Sequence, residues 1–284
     1  MSKVYITYWT RGYWDGVSNG QWKQIRIQRA LSAVNSSGGP GFYLSKSKNS
    51  GNLIESYVTA VQGQMESSFV TAPGCSDSVP LGTEAHYMAT NELAGNTEGG
   101  TWDKWYRYEI YAEEGTPGNT DGTLIYRILE PGVGIRNAAN YNGCLRLVGA
   151  GVTEHFNYIL FGHYVGENFS DVIGWWDDVF VQVGTQARVE IGDAPTWNAC
   201  THREIQIPTA WATGEITVTS NQGSFDMLAG KYLYVVNADG TKNSNGFLLT
   251  NEQNAAQSET ATSTYSAAGA LGNYTLTGAA VAGP

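Results

Sequence analysis

The chain has 284 residues, enough for one or two domains that each bury a core. Its 26 acidic and 16 basic residues give a formal net charge of −10, which disfavours nucleic acid and acidic membrane surfaces as partners. No run of about 18 apolar residues occurs, so we expect no membrane insertion. A charged fraction of only 15%, together with 35 Gly, 9 Trp and 17 Tyr, favours short strands joined by tight turns.

Strand patterns begin at the N-terminus. Apolar side chains recur at every second position in residues 4–9 and 22–29, a period that is typical of β-strands. Residues 42–45 and 53–62 predict two more strands. The segment 83–94 is the best candidate for a helix or a 3₁₀ turn.

A hairpin is the clearest feature of the middle of the chain. Residues 105–111 have a strand pattern, 115–122 have the Gly, Pro and Asn content of a turn, and 123–129 lead back as a second strand. Residues 157–164 and 175–183 predict two further strands.

The pattern divides the chain into three segments. We expect a first domain over residues 1–184, a smaller β-domain over 185–250, and a low-complexity tail over 251–284. The strands predicted in the smaller domain are 187–191, 204–207, 215–220, 231–237 and 247–250.

The tail is rich in Ala, Ser, Thr and Gly, and its only charged residues are Glu252 and Glu259. Such a composition favours a disordered linker, because too little apolar surface is available to offset the entropy of ordering. Residues 274–277 nevertheless have a strand pattern. The alternative is therefore an arm that adds a strand to an exposed sheet edge of a neighbouring subunit, in a homo-oligomer or another assembly.

The three cysteines, Cys75, Cys144 and Cys200, are too widely spaced for a disulfide framework or a zinc ribbon. We expect buried free thiols, with a disulfide between Cys75 and Cys144 as the alternative.

Five segments of the first domain carry a family resemblance: residues 4–11 (VYITYWTR), 22–27 (WKQIRI), 104–109 (KWYRYE), 116–122 (TPGNTDG) and 176–179 (WDDV). In this order they resemble a concanavalin A-like jelly roll of the kind found in LamG modules and polysaccharide lyases. The resemblance implies a jelly-roll β-sandwich. Such families have further strands before the one that begins here at Val4, so a sheet edge is left for something else to cover.

The second domain carries another resemblance, in residues 211–219 (WATGEITVT), 232–240 (YLYVVNADG) and 244–247 (SNGF). These are similar to the second half of IPT/TIG immunoglobulin-like domains. The resemblance implies a small Ig-like β-sandwich that acts as a spacer or interaction module.

Jelly-roll lyases cleave acidic polysaccharides by β-elimination, which needs a Tyr or His base and a polar side chain that neutralises the uronate carboxylate. The residues that would carry this chemistry here are Arg26, Arg107, Tyr111, His155 and Tyr158.

Exposed aromatic rings favour sugar binding instead, because they stack on the apolar faces of pyranose rings. Trp9 and Trp14 lie beside glycines and are expected in a loop at the binding surface. Trp22 and Trp102 complete the candidate set.

Neither the lyase hypothesis nor the sugar-binding hypothesis requires a cofactor. A bound calcium ion is the alternative to a protein without cofactors. Asp171, Asp177 and Asp178 offer the hard oxygen ligands that calcium prefers. A strand cap and solvated carboxylates account equally for these residues.

The leading hypothesis is a non-catalytic surface or structural protein of a virion or an extracellular assembly, with a lectin-like domain that binds polysaccharide. The N-terminus has a strand pattern and no signal peptide, which fits release by lysis or a signal already removed. The alternative is a polysaccharide lyase that acts on an acidic glycan.

Overall fold

The computed structural model is nearly all β-structure, which confirms the fold class predicted from the two-residue periodicity. It describes residues 1–14, 21–28, 41–48, 54–61, 84–89, 101–116, 119, 121–143, 155–165, 172–212, 214–250, 263–267 and 273–278. The strands are β1 (Lys3–Trp14), β2 (Gln21–Gln28), β3 (Gly41–Lys48), β4 (Ile54–Val61), β5 (Glu84–Ala89), β6 (Thr101–Glu113), β7 (Gly122–Glu130), β8 (Gly134–Gly143), β9 (Tyr158–Val165), β10 (Val172–Val183), β11 (Arg188–Gly192), β12 (Arg203–Ala212), β13 (Glu215–Thr219), β14 (Tyr232–Val236), β15 (Phe247–Leu248), β16 (Ser263–Ala267) and β17 (Asn273–Gly278). Within these ranges, no helix is long and apolar enough to cross a membrane.

The described strands form three sheets. Sheet A has the order β10-β1-β6-β7-β8, sheet B the order β5-β4-β3-β2-β9, and sheet C the order β15-β14-β11-β12-β13-β17-β16. The chain divides into two compact units, residues 1–128 with 137–179 and residues 129–136 with 180–284. The helix considered for 83–94 is wrong, since β5 lies in that segment and pairs antiparallel with β4.

In the first unit, sheets A and B face each other across aromatic side chains. Tyr8 of β1 lies against Phe161 of β9 and Trp176 of β10, with ring centroids 6.3 and 4.8 Å apart. Its ring also stacks on that of Tyr108 in β6, and its hydroxyl lies 3.4 Å from Gln24 Oε1 in β2. Two antiparallel layers with interleaved side chains make this unit a β-sandwich.

Strand β1 is buried on both of its faces. Because side chains alternate along a strand, Tyr8 points toward sheet B while Thr7 and Trp9 lie on the opposite face of sheet A. All three side chains are buried. The face of sheet A that is turned away from sheet B is therefore also covered around β1.

The β6–β7 hairpin forms where the sequence predicts it. The Asp121 carboxylate closes the turn by accepting hydrogen bonds from the backbone N–H and the hydroxyl of Thr116, at 2.7 and 2.8 Å. Gly115 has φ +69°, and a Cβ there would lie 2.4 Å from the Asp121 side chain. The turn therefore requires glycine at this position.

Strand β10 lies at the end of sheet A, so one of its sides has no neighbour among the described strands. Its course is interrupted at Asp178, which has φ 45° and donates its backbone N–H to Asp177 Oδ1 at 2.9 Å. Positive φ is uncommon outside glycine, and aspartate is one of the residues that tolerate it.

Strand β12 connects the two halves of sheet C, which are β15-β14-β11 on one side and β13-β17-β16 on the other. Residues 203–206 of β12 pair with β11, and residues 207–212 pair with β13, with a register shift between Pro208 and Ala210. The core contains Val189 and Ile191 from β11, Ile216 and Val218 from β13, and Leu233 and Val235 from β14. Side chains from both halves thus meet in one core, as in a small sandwich.

The strand predicted at 274–277 is present as β17, but its partner is the same chain. Strand β17 pairs with β13 from Glu215↔Thr277 to Thr219↔Asn273, and β16 pairs with β17 on the far side. The tail therefore extends sheet C by a hairpin.

Candidate functional site

Charged side chains on β6 and β7 form a buried network on the face of sheet A that is turned away from sheet B. Glu109 receives Arg107 Nη2 at 3.5 Å on one oxygen and Arg127 Nη1 at 3.5 Å on the other. Arg107 also donates its Nε–H to Thr7 Oγ1 at 2.9 Å, and Trp9 stands directly opposite Arg107 in the sheet. Arg107 and Glu109 are each only 1% exposed, so the arginine is committed to internal partners.

Tyr111 lies on the same face, four residues along β6 from Arg107. Its hydroxyl donates to Glu113 Oε2 at 2.6 Å, and Lys3 Nζ lies 2.6 Å from Glu113 Oε1. Burial, followed by the hydrogen bond and charge of Glu113, raises the pKa of Tyr111 far above its usual value. A phenol held in this way keeps its proton at neutral pH, which is the opposite of what a general base requires.

The ring of His155 contacts the carboxylate of Glu114, the residue that follows β6. Its Nδ1 lies 2.6 Å from Glu114 Oε2, while Glu114 Oε1 accepts the backbone N–H of Phe156 at 3.0 Å. The terminal ammonium of Met1 donates to the Phe156 carbonyl at 2.7 Å. These bonds fasten the segment before β9 to the end of β6.

Arg26 and Tyr158 lie on sheet B. Ile25 stands opposite Phe161, and Arg26 opposite Leu160, so Arg26 shares a face with Leu160 and, two residues along, with Tyr158. Phe161 points toward sheet A, because it contacts the core aromatic rings described above. Arg26 and Tyr158 are therefore on the face of sheet B that is turned away from sheet A.

The candidate lyase residues consequently divide between two outer faces of the sandwich. Arg107 and Tyr111 lie on that of sheet A, and Arg26 and Tyr158 on that of sheet B. Packed sheets are separated by about 10 Å at their mid-planes, and the core lies between these outer faces. Arg107 and Tyr111 are therefore separated by the core from Arg26 and Tyr158.

Of the four tryptophans predicted to bind sugar, only Trp9 has a described side chain. Trp9 lies in β1 and is 6% exposed, so its predicted position in an exposed loop is wrong, because β1 is an inner strand of sheet A. Trp14 ends β1, and Trp22 and Trp102 are the second residues of β2 and β6, but the side chains of all three lie outside the described set.

Among the described residues, Trp175 on β10 is the most exposed aromatic ring, and the sequence reasoning did not select it. It is 47% exposed, and the guanidinium of Arg11 lies 5.7 Å from its ring centroid. Ile173 and Val179, on the same strand, are exposed to a similar degree. The adjacent Trp-Trp pair was the available signal, since neighbouring residues of a strand point to opposite faces and Trp176 takes the core position.

The acidic residues proposed for calcium are only partly described. Asp177 and Asp178 are exposed on β10, while Asp171 lies outside the described residues. In the described part of the chain, no group of three or more His, Cys, Asp or Glu side chains is placed to hold a metal ion. Calcium binding stays a prediction.

In the second unit, buried charges centre on Glu190. Its carboxylate accepts hydrogen bonds from Trp197 Nε1 at 2.6 Å and from Arg188 Nε at 3.2 Å, and Arg203 Nε lies at 3.6 Å. The Arg203 guanidinium also stacks 3.8 Å from the centroid of the Trp197 ring. Every member is buried, which indicates a structural role.

His202, Glu204 and Ser224 form a cluster whose composition is that of a hydrolytic triad. The Ser224 hydroxyl and Glu204 Oε1 both contact the same ring nitrogen of His202, Nε2, at 2.9 and 2.5 Å. A catalytic triad needs the nucleophile on one ring nitrogen and the carboxylate on the other. Glu204 also accepts the backbone N–H of Ser224 at 3.1 Å, so the cluster fastens the loop at Ser224 to β12.

Cys200 is a buried free thiol, as predicted, while Cys75 and Cys144 lie outside the described residues. Its Sγ lies 3.4 and 3.7 Å from the carbonyl oxygens of Thr196 and Ala194. Burial raises the pKa of the thiol, which keeps it protonated and unreactive.

No protein family model matches the chain, and no curated protein matches it. Among solved structures, it is similar to the crystal structure of the marine PL-14 alginate lyase from Aplysia kurodai, at 14% identity and a TM-score of 0.42. The alignment covers 64% of this chain and 69% of the lyase. A likeness at this level supports no conclusion about the activity of this chain.

Proposed function

We propose that this chain is a non-catalytic, glycan-binding β-sandwich protein that works outside the cell or on a virion surface, with a contact site at Trp175 on β10. The observation that carries the proposal is the exposed Trp175 ring at the edge of sheet A, beside Arg11. An exposed indole offers an apolar face for a pyranose ring, and neighbouring charged groups can bond its hydroxyls.

The surroundings of Trp175 suit a sugar better than an apolar peptide. Asp177 and Asp178 follow it on the same strand and are exposed, and the guanidinium of Arg11 lies 5.7 Å from the centroid of the ring. Sugar recognition combines such polar groups with an aromatic platform.

The positions and contacts of the candidate lyase residues support a non-catalytic role. Arg107 is paired internally, the Tyr111 hydroxyl is held by Glu113, and Arg26 and Tyr158 lie on a different sheet. A β-elimination site needs its base and its carboxylate-neutralising group within hydrogen-bond reach of one sugar.

A glycan array, followed by titration of the bound sugar against tryptophan fluorescence, tests the binding. The variant Trp175→Ala should weaken binding about two- to tenfold, since an aromatic contact contributes roughly 0.5–1.5 kcal/mol. Ile173→Ala is the matched control, because Ile173 is equally exposed on the same strand but has no ring. Equal affinity of Trp175→Ala and the parent protein would show that the site is elsewhere.

Catalysis is tested separately by incubation with alginate and glucuronan while the absorbance of unsaturated uronate products is followed. We expect no sustained product formation. Steady turnover that is lost in both Arg26→Ala and Tyr158→Phe would instead establish a lyase on the outer face of sheet B.

A further inference from the structure

We infer that the sugar recognised at Trp175 carries a single carboxylate within an otherwise neutral glycan, and that Arg11 binds this carboxylate. The inference rests on the proposed function, because it assigns the ligand class of the same site. Arg11 is then the specificity-determining residue, and Asp177 disfavours a second acidic group nearby. The ligand class is a sparsely charged glycan rather than a polyuronate.

The first observation is that Arg11 is exposed and is not used in an internal ion pair. Its guanidinium lies 5.7 Å from the centroid of the Trp175 ring. Among the described residues, no carboxylate forms an ion pair with it, whereas Arg107 is committed to Glu109. The planar fork of a guanidinium matches the two oxygens of a carboxylate. Arg11 is therefore available to an acidic group on a sugar that stacks against Trp175.

The fold brings this ring and this cation together on one unit. Strands β1 and β10 are neighbours in sheet A. The pairing of β1 with β6 shifts its register between Thr10 and Gly12, so Arg11 lies at an irregularity of β1. Irregularities of this kind re-aim side chains and are frequent beside functional sites. Arg11 and Trp175 thus form one surface made by two adjacent strands.

The second observation is the position of Asp177. Residues two apart in a strand point to the same face, so Asp177 follows Trp175 on its face at about 7 Å. Its side chain is exposed, and its Oδ1 accepts the backbone N–H of Asp178 at 2.9 Å. An acidic sugar beside Asp177 would meet a like charge, whereas a neutral sugar can donate its hydroxyls to the carboxylate. The surface therefore favours one acidic group beside Arg11 and disfavours the next one.

The charge of the whole chain acts in the same direction. The formal net charge of −10 repels a densely charged polyanion before it reaches the surface. A single carboxylate suffers less from this repulsion and gains the close contact with Arg11. Because exposed ion pairs contribute little, we expect a preference of only about two- to fivefold for the singly acidic glycan over its neutral counterpart.

A glycan array with three classes of probe tests the ligand class in the full chain. The probes are neutral oligosaccharides, the same oligosaccharides with one uronic acid, and oligouronates. The singly acidic members should bind more tightly than both other classes. Titration of the best pair by tryptophan fluorescence should give the two- to fivefold preference, and this preference should fall in about 1 M salt, where the Debye length is about 3 Å.

Three variants assign the preference to particular residues. Arg11→Gln should remove the preference for the singly acidic probe, and Arg11→Lys should keep part of it, because the charge remains without the planar fork. Asp177→Asn should strengthen the binding of oligouronates. Lys3→Gln is the matched control, because Lys3 is a partly exposed cation of the same strand that pairs with Glu113, and its loss changes the net charge equally.

Each failure has its own signature. If Trp175→Ala weakens binding while Arg11→Gln keeps the preference of the parent protein, the glycan site stands and the role of Arg11 is wrong. If Lys3→Gln loses the preference as fully as Arg11→Gln, the effect is one of net charge and the role of Arg11 is again wrong. A parent protein that prefers neutral oligosaccharides or oligouronates overturns the ligand class. Equal affinity of Trp175→Ala and the parent protein overturns the proposed function itself.

Discussion

Replacement of Arg107 by methionine tests whether this side chain supports the fold or a reaction. Methionine fills part of the same space but removes a buried positive charge that lies 3.5 Å from Glu109. Breaking a buried ion pair from one side costs about 3–5 kcal/mol, because the remaining charge stays in a medium that solvates it poorly. Removing both partners is often close to neutral.

We therefore expect R107M to lower the free energy of unfolding of the first unit by about 3–5 kcal/mol, and R107M/E109M to recover most of that loss. Arg127 tolerates the loss of Glu109 better, because its side chain is 22% exposed and reaches solvent.

Urea unfolding followed by tryptophan fluorescence suits this measurement. All of the nine tryptophans except Trp197 and Trp211 belong to the first unit, so the signal is dominated by that unit. Lys3→Met is the control for a surface ion pair and should change stability by less than about 1 kcal/mol. A loss below about 1 kcal/mol for R107M, or equal losses in the single and double variants, would refute the assignment of Arg107 to a buried structural pair.

Other predictions follow from the same contacts. Val218→Ala should destabilise the second unit by about 2 kcal/mol, measured by calorimetry, because it leaves a cavity at a fully buried position; an unchanged melting temperature would contradict this. In a variant whose other cysteines are serine, Cys200 should react with a disulfide reagent only after unfolding, and rapid reaction of the native protein would contradict its burial. Burial alone would raise the pKa of Glu113, but hydrogen bonds from Lys3 and Tyr111 lower it. Its stabilising contribution is present above the unfolded pKa and is lost as pH falls through the folded pKa. Lys3→Met should therefore reduce the loss of stability between about pH 5 and pH 3, seen as urea midpoints, and an unchanged loss would contradict the pairing.

The sequence pattern correctly predicted those elements whose structure depends on residues close together in the sequence. The β6–β7 hairpin follows from alternation on both sides of a turn that Asp121 closes, and both signals are contained in one short segment. The strands of the second domain agree with the prediction for the same reason. Strand β5 was missed because its partner β4 supplies the pairing from elsewhere in the chain, and no local pattern encodes that choice.

The candidate site could not be predicted to the same extent, because exposure depends on strand order. The alternation of side chains along β6 correctly predicts that Arg107 and Tyr111 share a face of the sheet. It does not predict that Arg26 belongs to the other sheet. Trp9 and Trp175 both lie in strands of sheet A, yet one is buried and the other exposed. The difference is that β1 is an inner strand and β10 an edge strand, which only the sheet order reveals.

The distribution of charge connects the fold to the proposed function. Several of the few charged residues are used in internal pairs, such as Arg107 with Glu109 and Arg188 with Glu190. A buried charge that is already paired resists recruitment to a substrate, because separating the pair leaves one partner uncompensated. The proposed recognition would use groups that remain at the surface, and among these the strand β10 presents an indole ring and two carboxylates. If a glycan binds and Trp175→Ala does not change its affinity, the proposal that buried charges serve the fold while exposed groups of β10 bind the sugar is wrong.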